Sequence, residues 1–101
     1  MGNSKLEITK EKNAGELLVS LAGRLDTNTA PQLQAVFDTE LSDVSQVQVD
    51  MERLEYLSSA GLRTLLMGTK KMDGNLTVFH ANDEIMEVFK ITGFDSILNI
   101  R

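Results

Sequence analysis

Apolar positions change their rhythm several times along this chain. Leu6 and Ile8 alternate with charged neighbours, the period-two pattern of a short half-buried strand. Asn13-Ala14-Gly15 punctuates the pattern as a turn. Leu17, Leu18, Val19 and Leu21 follow as a more continuous apolar run, which predicts a central strand close enough to the first to form a hairpin. Gly23 to Thr29 reads as a polar connection. Leu33, Val36, Phe37 and Leu41 then recur at helical spacing, predicting a helix over about residues 30–41. Pro31 suits its first turn, and Thr29 and Gln32 have the spacing of a capping box.

The rhythm returns to two at Val47, Val49 and Met51, the next strand. It lengthens again at Leu62, Leu65, Leu66 and, more weakly, Thr69, which share one helical face. Arg63, Lys70 and Lys71 fall largely elsewhere on that wheel. Lys70 and Lys71 sit near the helix's C-terminal end, where positive charge is favourable, and Asp73-Gly74-Asn75 ends it. Leu76, Val78 and His80 alternate as a further strand. Asn82 is placed to cap a helix with Asp83 and Glu84 in its first turn, Ile85, Val88 and Phe89 on its apolar face, and Gly93 at its end. Ile97, Leu98 and Ile100 suggest a closing strand. The order ββαβαβα, with that closing β, predicts one α/β domain over residues 1–101, with helices covering a mixed sheet. Periodicity leaves the strand order open.

Composition narrows the function classes. The chain of 101 residues supports one modest core, and its apolar and charged shares are those of a folded protein. Cysteine is absent, which removes disulfides, thiolate metal sites and cysteine nucleophiles and suits a reducing cytosol. A cytoplasmic location is therefore expected. MGNSKLEITKEKN has no apolar h-region, no apolar run reaches a membrane span, and Leu6 stands where a myristoylation signal has Ser or Thr. The net charge of −5 and the lack of a basic stripe argue against nucleic acid.

The chemistry concentrates in Tyr56-Leu57-Ser58-Ser59-Ala60-Gly61-Leu62-Arg63-Thr64-Leu65-Leu66, where two serines interrupt an apolar run at the start of a helix. A serine there can cap free backbone N–H groups. The same N–H groups and the helix dipole also favour an anion, so a phosphorylated serine would sit well there. Ala60 and Gly61 keep the neighbourhood small enough for another backbone to approach. Asp26-Thr27-Asn28 reads as turn chemistry or as a polar rim beside the serines, because loops after strand carboxyl ends gather on one sheet edge. A nucleophilic role lacks support: G-x-S-x-G is absent, and His80 is the only histidine. One histidine and scattered carboxylates make no metal set, and no phosphate-binding glycine loop occurs, so neither catalytic residues nor a cofactor are expected. Met67, Met72 and Met86 could form an adaptable partner surface, but core filling is the preferred reading.

"LAGRLDTNTAPQL" followed by "VQVDMERLEYLSSAGLRTLL" resembles the STAS domain, and within it the stand-alone anti-sigma factor antagonists of bacteria. Gly23-Arg24-Leu25-Asp26 is similar to the family's G-x-L-D turn, and Asp50 through Leu62 to its strand-loop-helix signature. The resemblance implies a four- to five-stranded mixed sheet flanked by helices. It implies that the unphosphorylated chain binds an anti-sigma factor that is also a serine kinase, freeing a sigma factor. Phosphorylation then parts the two, and a PP2C-type phosphatase resets the switch. The acceptor position falls on Ser59, two residues before Gly61, with Ser58 as rival where the family often has Asp. Ala60 stands where Ser or Thr is common. Asp26, Thr27, Asn28, Ser58, Ser59, Ala60, Gly61 and Arg63 are the implied partner surface, on a chain expected to be monomeric. The other reading keeps the fold without the switch, as a constitutive scaffold or an accessory subunit of a signalling or transport complex.

Overall fold

The computed structural model describes residues 5–101; the Met-Gly start on which the leader and lipidation readings turn lies outside them. The elements are β1 (Leu6–Asn13), β2 (Glu16–Leu25), α1 (Ala30–Thr39), β3 (Gln46–Leu57), α2 (Ser59–Lys71), β4 (Leu76–Phe79), α3 (Asp83–Thr92), a 3-10 turn (Phe94–Ser96) and β5 (Asn99–Ile100). The sheet order is β1-β2-β3-β4-β5. β1 and β2 are the expected antiparallel hairpin, while β2, β3, β4 and β5 run parallel. The mixed α/β architecture is the one the alternating periodicities predict.

One parity of each central strand builds the core. Leu17, Val19 and Leu21, Val47, Val49 and Met51, and Leu76 and Val78 are buried. Leu33 and Phe37 of α1, Leu62 and Leu65 of α2, and Ile85 and Phe89 of α3 join them in one cluster. The opposite parity (Leu18, Ser20, Gln48, Asp50, Thr77, Phe79) stays half-buried. The helices therefore cover one face of the sheet and leave the other open. Gly68 sets the spacing of α1 and α2, since a Cβ there would lie 2.6 Å from Cε2 of the buried Phe37 ring.

Several local expectations need correction. Gly23-Arg24-Leu25 belongs to β2 rather than to a connection. Register shifts against β3 at Ser20/Ala22 and Gly23/Arg24 let the strand continue, and Gly23, at φ +103°, passes so close to the Lys5 carbonyl that a side chain has no room. The Thr29–Gln32 capping box does not form, because the Thr29 hydroxyl is spent in the preceding turn. α1 stops at Thr39, short of Leu41. On α2 Leu66 is only half-buried, and Gly61, Thr64 and Gly68 complete the buried face with Leu62, Leu65 and Thr69. His80 lies just past β4 in the left-handed region, at φ +65°. The caps of α3 follow the sequence reading: Asn82 Oδ1 accepts from the Ile85 N–H at 2.8 Å, and Gly93 is left-handed.

Ion pairs tie the hairpin to the helix layer. Lys10 meets Glu40 at 3.2 Å, and Lys12 meets Asp43 at 2.9 Å. The Lys12–Asp43 hydrogen bond raises the lysine's pKa and lowers that of the carboxyl. Both groups are exposed, so salt screens the pair and its contribution to stability is small.

Candidate functional site

β2 and β3 are parallel and end level, with Leu25 opposite Leu57. Whatever follows either strand must therefore leave from one edge of the sheet. After Leu25 comes the turn Asp26 to Thr29 that opens α1; after Leu57 comes Ser58, and α2 begins at Ser59. The Ser58 N–H donates to the Leu25 carbonyl at 3.0 Å and stitches the two departures together. Gly61 lets the first turn of α2 sit directly on both strand ends. A Cβ there would lie 2.6 Å from Leu57 Cδ1 and 2.8 Å from Leu25 Cγ.

The two serines have different surroundings. Ser58 holds the N-cap position with extended backbone, and its carbonyl accepts from the Leu62 N–H at 3.0 Å. Its side chain makes no cap hydrogen bond, contrary to the capping expectation, and its Oγ is buried without a partner. Ser59, the first residue of α2, is exposed. Ala60 is half-buried and Gly61 buried. Arg63, one turn further along, is exposed and makes no ion pair among the described residues.

The Asp26 turn is built from its own side chains. Asp26 Oδ1 accepts from the Asn28 N–H at 3.0 Å and the Thr29 N–H at 3.1 Å, as an Asx turn does. Thr29, 2% exposed, donates its hydroxyl to the Arg24 carbonyl and accepts from the Asp26 N–H, both at 2.8 Å. Asp26 is thus largely committed to structure, while Thr27 and Asn28 stand exposed on the rim.

Between the two departures runs a shallow cleft of about 330 Å³. Thr27, Ala30, Pro31 and Gln34 line one wall, and Ala60, Arg63, Thr64 and Met67 the other. Of these only Thr27, Ala60 and Arg63 were legible in the sequence as site residues. Pro31, Gln34 and Thr64 carry no chemical signature, and only the packing of α1 against α2 brings them to the cleft; Met67, for which core filling was preferred over a partner surface, is half-buried on its wall. A second feature was also missed. The Arg24 guanidinium lies 4.2 Å from the centre of the Tyr56 ring, with its Nε 3.8 Å from Asp26 Oδ2. Their pairing follows from the Arg24–Tyr56 register, which sequence spacing does not fix.

His80 does not join the serines. Its Nδ1 lies 3.1 Å from Asp50 Oδ1 and 3.9 Å from Glu52 Oε1. The two carboxylates that look scattered in sequence are thus brought together with the histidine. Asp50 and Glu52 share one side of β3, and the end of β4 delivers His80 beside them. Among the described residues no hydrogen bond links that histidine to Ser58 or Ser59; its partner is Asp50.

Comparisons with known proteins identify the family and the fold. The family model described as "Mlab, STAS domain" matches residues 8–99. BtrV of Bordetella bronchiseptica, proposed to be an anti-sigma factor antagonist, is 33% identical over 99 residues, spanning 94% of this chain and 85% of BtrV. An anti-sigma factor antagonist from Mycobacterium paratuberculosis shares the fold with a TM-score of 0.87 at 22% identity, covering 98% of this chain and 87% of that one. The Bacillus cell fate determinant SpoIIAA, solved in its phosphorylated form, superposes with a TM-score of 0.73 at 19% identity, over 94% of this chain and 91% of that one.

Proposed function

Because the chain belongs to the STAS domain family, we propose that it is an anti-sigma factor antagonist whose partner binding is switched off by phosphorylation of Ser59. The observation that carries the choice of residue is the contrast between the serines: Ser59 is exposed, whereas Ser58 Oγ is buried. A kinase must bring a γ-phosphate in line with the attacking oxygen, and only an accessible hydroxyl permits that. The Ser59 oxygen forms a new bond to the γ-phosphorus as the bond from that phosphorus to the bridging oxygen breaks, ADP leaves with the bridging oxygen, and a base on the kinase takes the hydroxyl proton.

The unmodified edge suits docking of the anti-sigma factor kinase. Thr27 and Asn28 rim it, Ala60 keeps it low, and Arg63 gives it a positive charge. A phosphate adds about −1.5 to −2 charge at its centre, along with bulk. Both disfavour a partner fitted to the bare surface, and a PP2C-type phosphatase would restore it. The chain acts in this scheme as a monomeric cytoplasmic binding regulator and supplies no catalysis of its own. No helix among the described residues is long and apolar enough to cross a membrane.

Phosphopeptide mass spectrometry on wild type, Ser58→Ala and Ser59→Ala, after incubation with ATP and cell extract under phosphatase inhibition, tests the acceptor. We expect phosphate on Ser59 in wild type and Ser58→Ala and none in Ser59→Ala. A fully modified Ser59→Ala chain would overturn the assignment. No phosphate on any variant, with a control substrate modified in the same extract, would favour the constitutive scaffold.

A further inference from the structure

We infer that Arg63 is an internal clamp for the phosphate on Ser59, so that modification also withdraws a cation from the docking cleft. The inference rests on Ser59 being the acceptor. Ser59 and Arg63 are four residues apart on α2 and so lie on the same side, one turn from each other. Both are exposed. Arg63 reaches neither an acid nor any other charged group in the cleft: the facing wall consists of Thr27, Ala30, Pro31 and Gln34, all uncharged. The first turn of α2 contains no acidic residue, and Asp26 is engaged by turn amides and lies near Arg24. Arg63 is therefore, among the described residues, a guanidinium without an ion pair, one helical turn from a hydroxyl that would become a dianion.

Guanidinium and phosphate match in geometry, two N–H donors to two oxygens, and form short charge-assisted hydrogen bonds. An acid-before-base order at four-residue spacing is the favourable orientation on a helix. Before modification Arg63 lines the cleft and can meet a partner's carboxylate or carbonyl. After modification it turns to the phosphate. The mouth of the cleft thereby changes sign and loses its donor in one event. This adds a second cause of partner release to simple repulsion.

The test is independent of any kinase. Phosphoserine is incorporated at position 59 during synthesis of the full chain, and the phosphate is titrated by ³¹P NMR in wild type, Arg63→Lys and Arg63→Gln. An exposed phosphoserine has its second pKa at about 6. The clamp predicts a midpoint in wild type lower than in Arg63→Gln by on the order of half a pH unit, with Arg63→Lys between them and the gap shrinking in high salt. The helix N-terminus acts equally on all three, so the difference isolates Arg63. Coincident midpoints for wild type and Arg63→Gln would overturn the clamp. That failure would leave Ser59 as acceptor untouched, whereas loss of the acceptor assignment shows only in the mass spectrometry.

Discussion

Gly61→Ala will lower the free energy of unfolding by about 1–3 kcal/mol, the usual range for overpacking a core. On propensity alone the substitution should help, since alanine in a helix gains about 0.5–1 kcal/mol over glycine. The contacts decide otherwise. The new methyl would sit 2.6 Å from Leu57 Cδ1 and 2.8 Å from Leu25 Cγ. Leu57 is 4% and Leu25 0% exposed, so neither has free space to retreat into. Relief must come from lifting the start of α2 off the strand ends, which stretches the Ser58–Leu25 hydrogen bond and moves Ser59. Urea denaturation measures the first effect, and the rate of Ser59 phosphorylation the second. An alanine variant more stable than wild type would mean that the close packing here is wrong.

Thr29→Val is the second large effect. Valine keeps the shape of threonine but removes the hydroxyl that satisfies the Arg24 carbonyl and the Asp26 N–H. Thr29 is buried and both hydrogen bonds are shielded in part from solvent, so leaving their other ends unpaired costs about 1–3 kcal/mol. The exposed neighbour gives the control: Thr27→Val should change stability by no more than about 0.5 kcal/mol. Equal midpoints for the two variants in thermal unfolding would contradict the role assigned to Thr29.

These two residues also mark where the sequence stopped being informative. Element order was legible because the period-two runs at Val47–Met51 and Leu76–Val78, and the helical run at Leu33–Phe37, each bury one face against a common core. The α3 caps were legible because Asn82 and Gly93 act locally. Thr29 misled for a physical reason. Its spacing to Gln32 suits a capping box, yet the same hydroxyl can bond backward to Arg24 and Asp26, and the bulged end of β2 puts those groups in reach. The serine pair misled similarly: one of the two was expected to cap α2, and Ser58 holds the N-cap position, but its hydroxyl is buried and caps nothing. Gly61 looked like a way to keep the surface low, whereas its tightest constraint lies underneath, against Leu25 and Leu57. The cleft residues Pro31, Gln34 and Thr64 were invisible because a groove between helices belongs to tertiary packing, not to any motif, and Met67, read first as core filling, lies half-buried on the same groove.

The central claim is that one phosphate on Ser59 decides whether this edge holds its partner. The most direct measurement is the affinity, by titration calorimetry, of the unmodified chain and of the chain carrying phosphoserine at position 59 for the anti-sigma factor kinase from the same organism. We expect the unmodified chain to bind and the phosphorylated chain to bind more weakly by on the order of a hundredfold or more, the scale of a like-charge or misfit contact at an interface centre. Equal affinities for the two forms would contradict the switch.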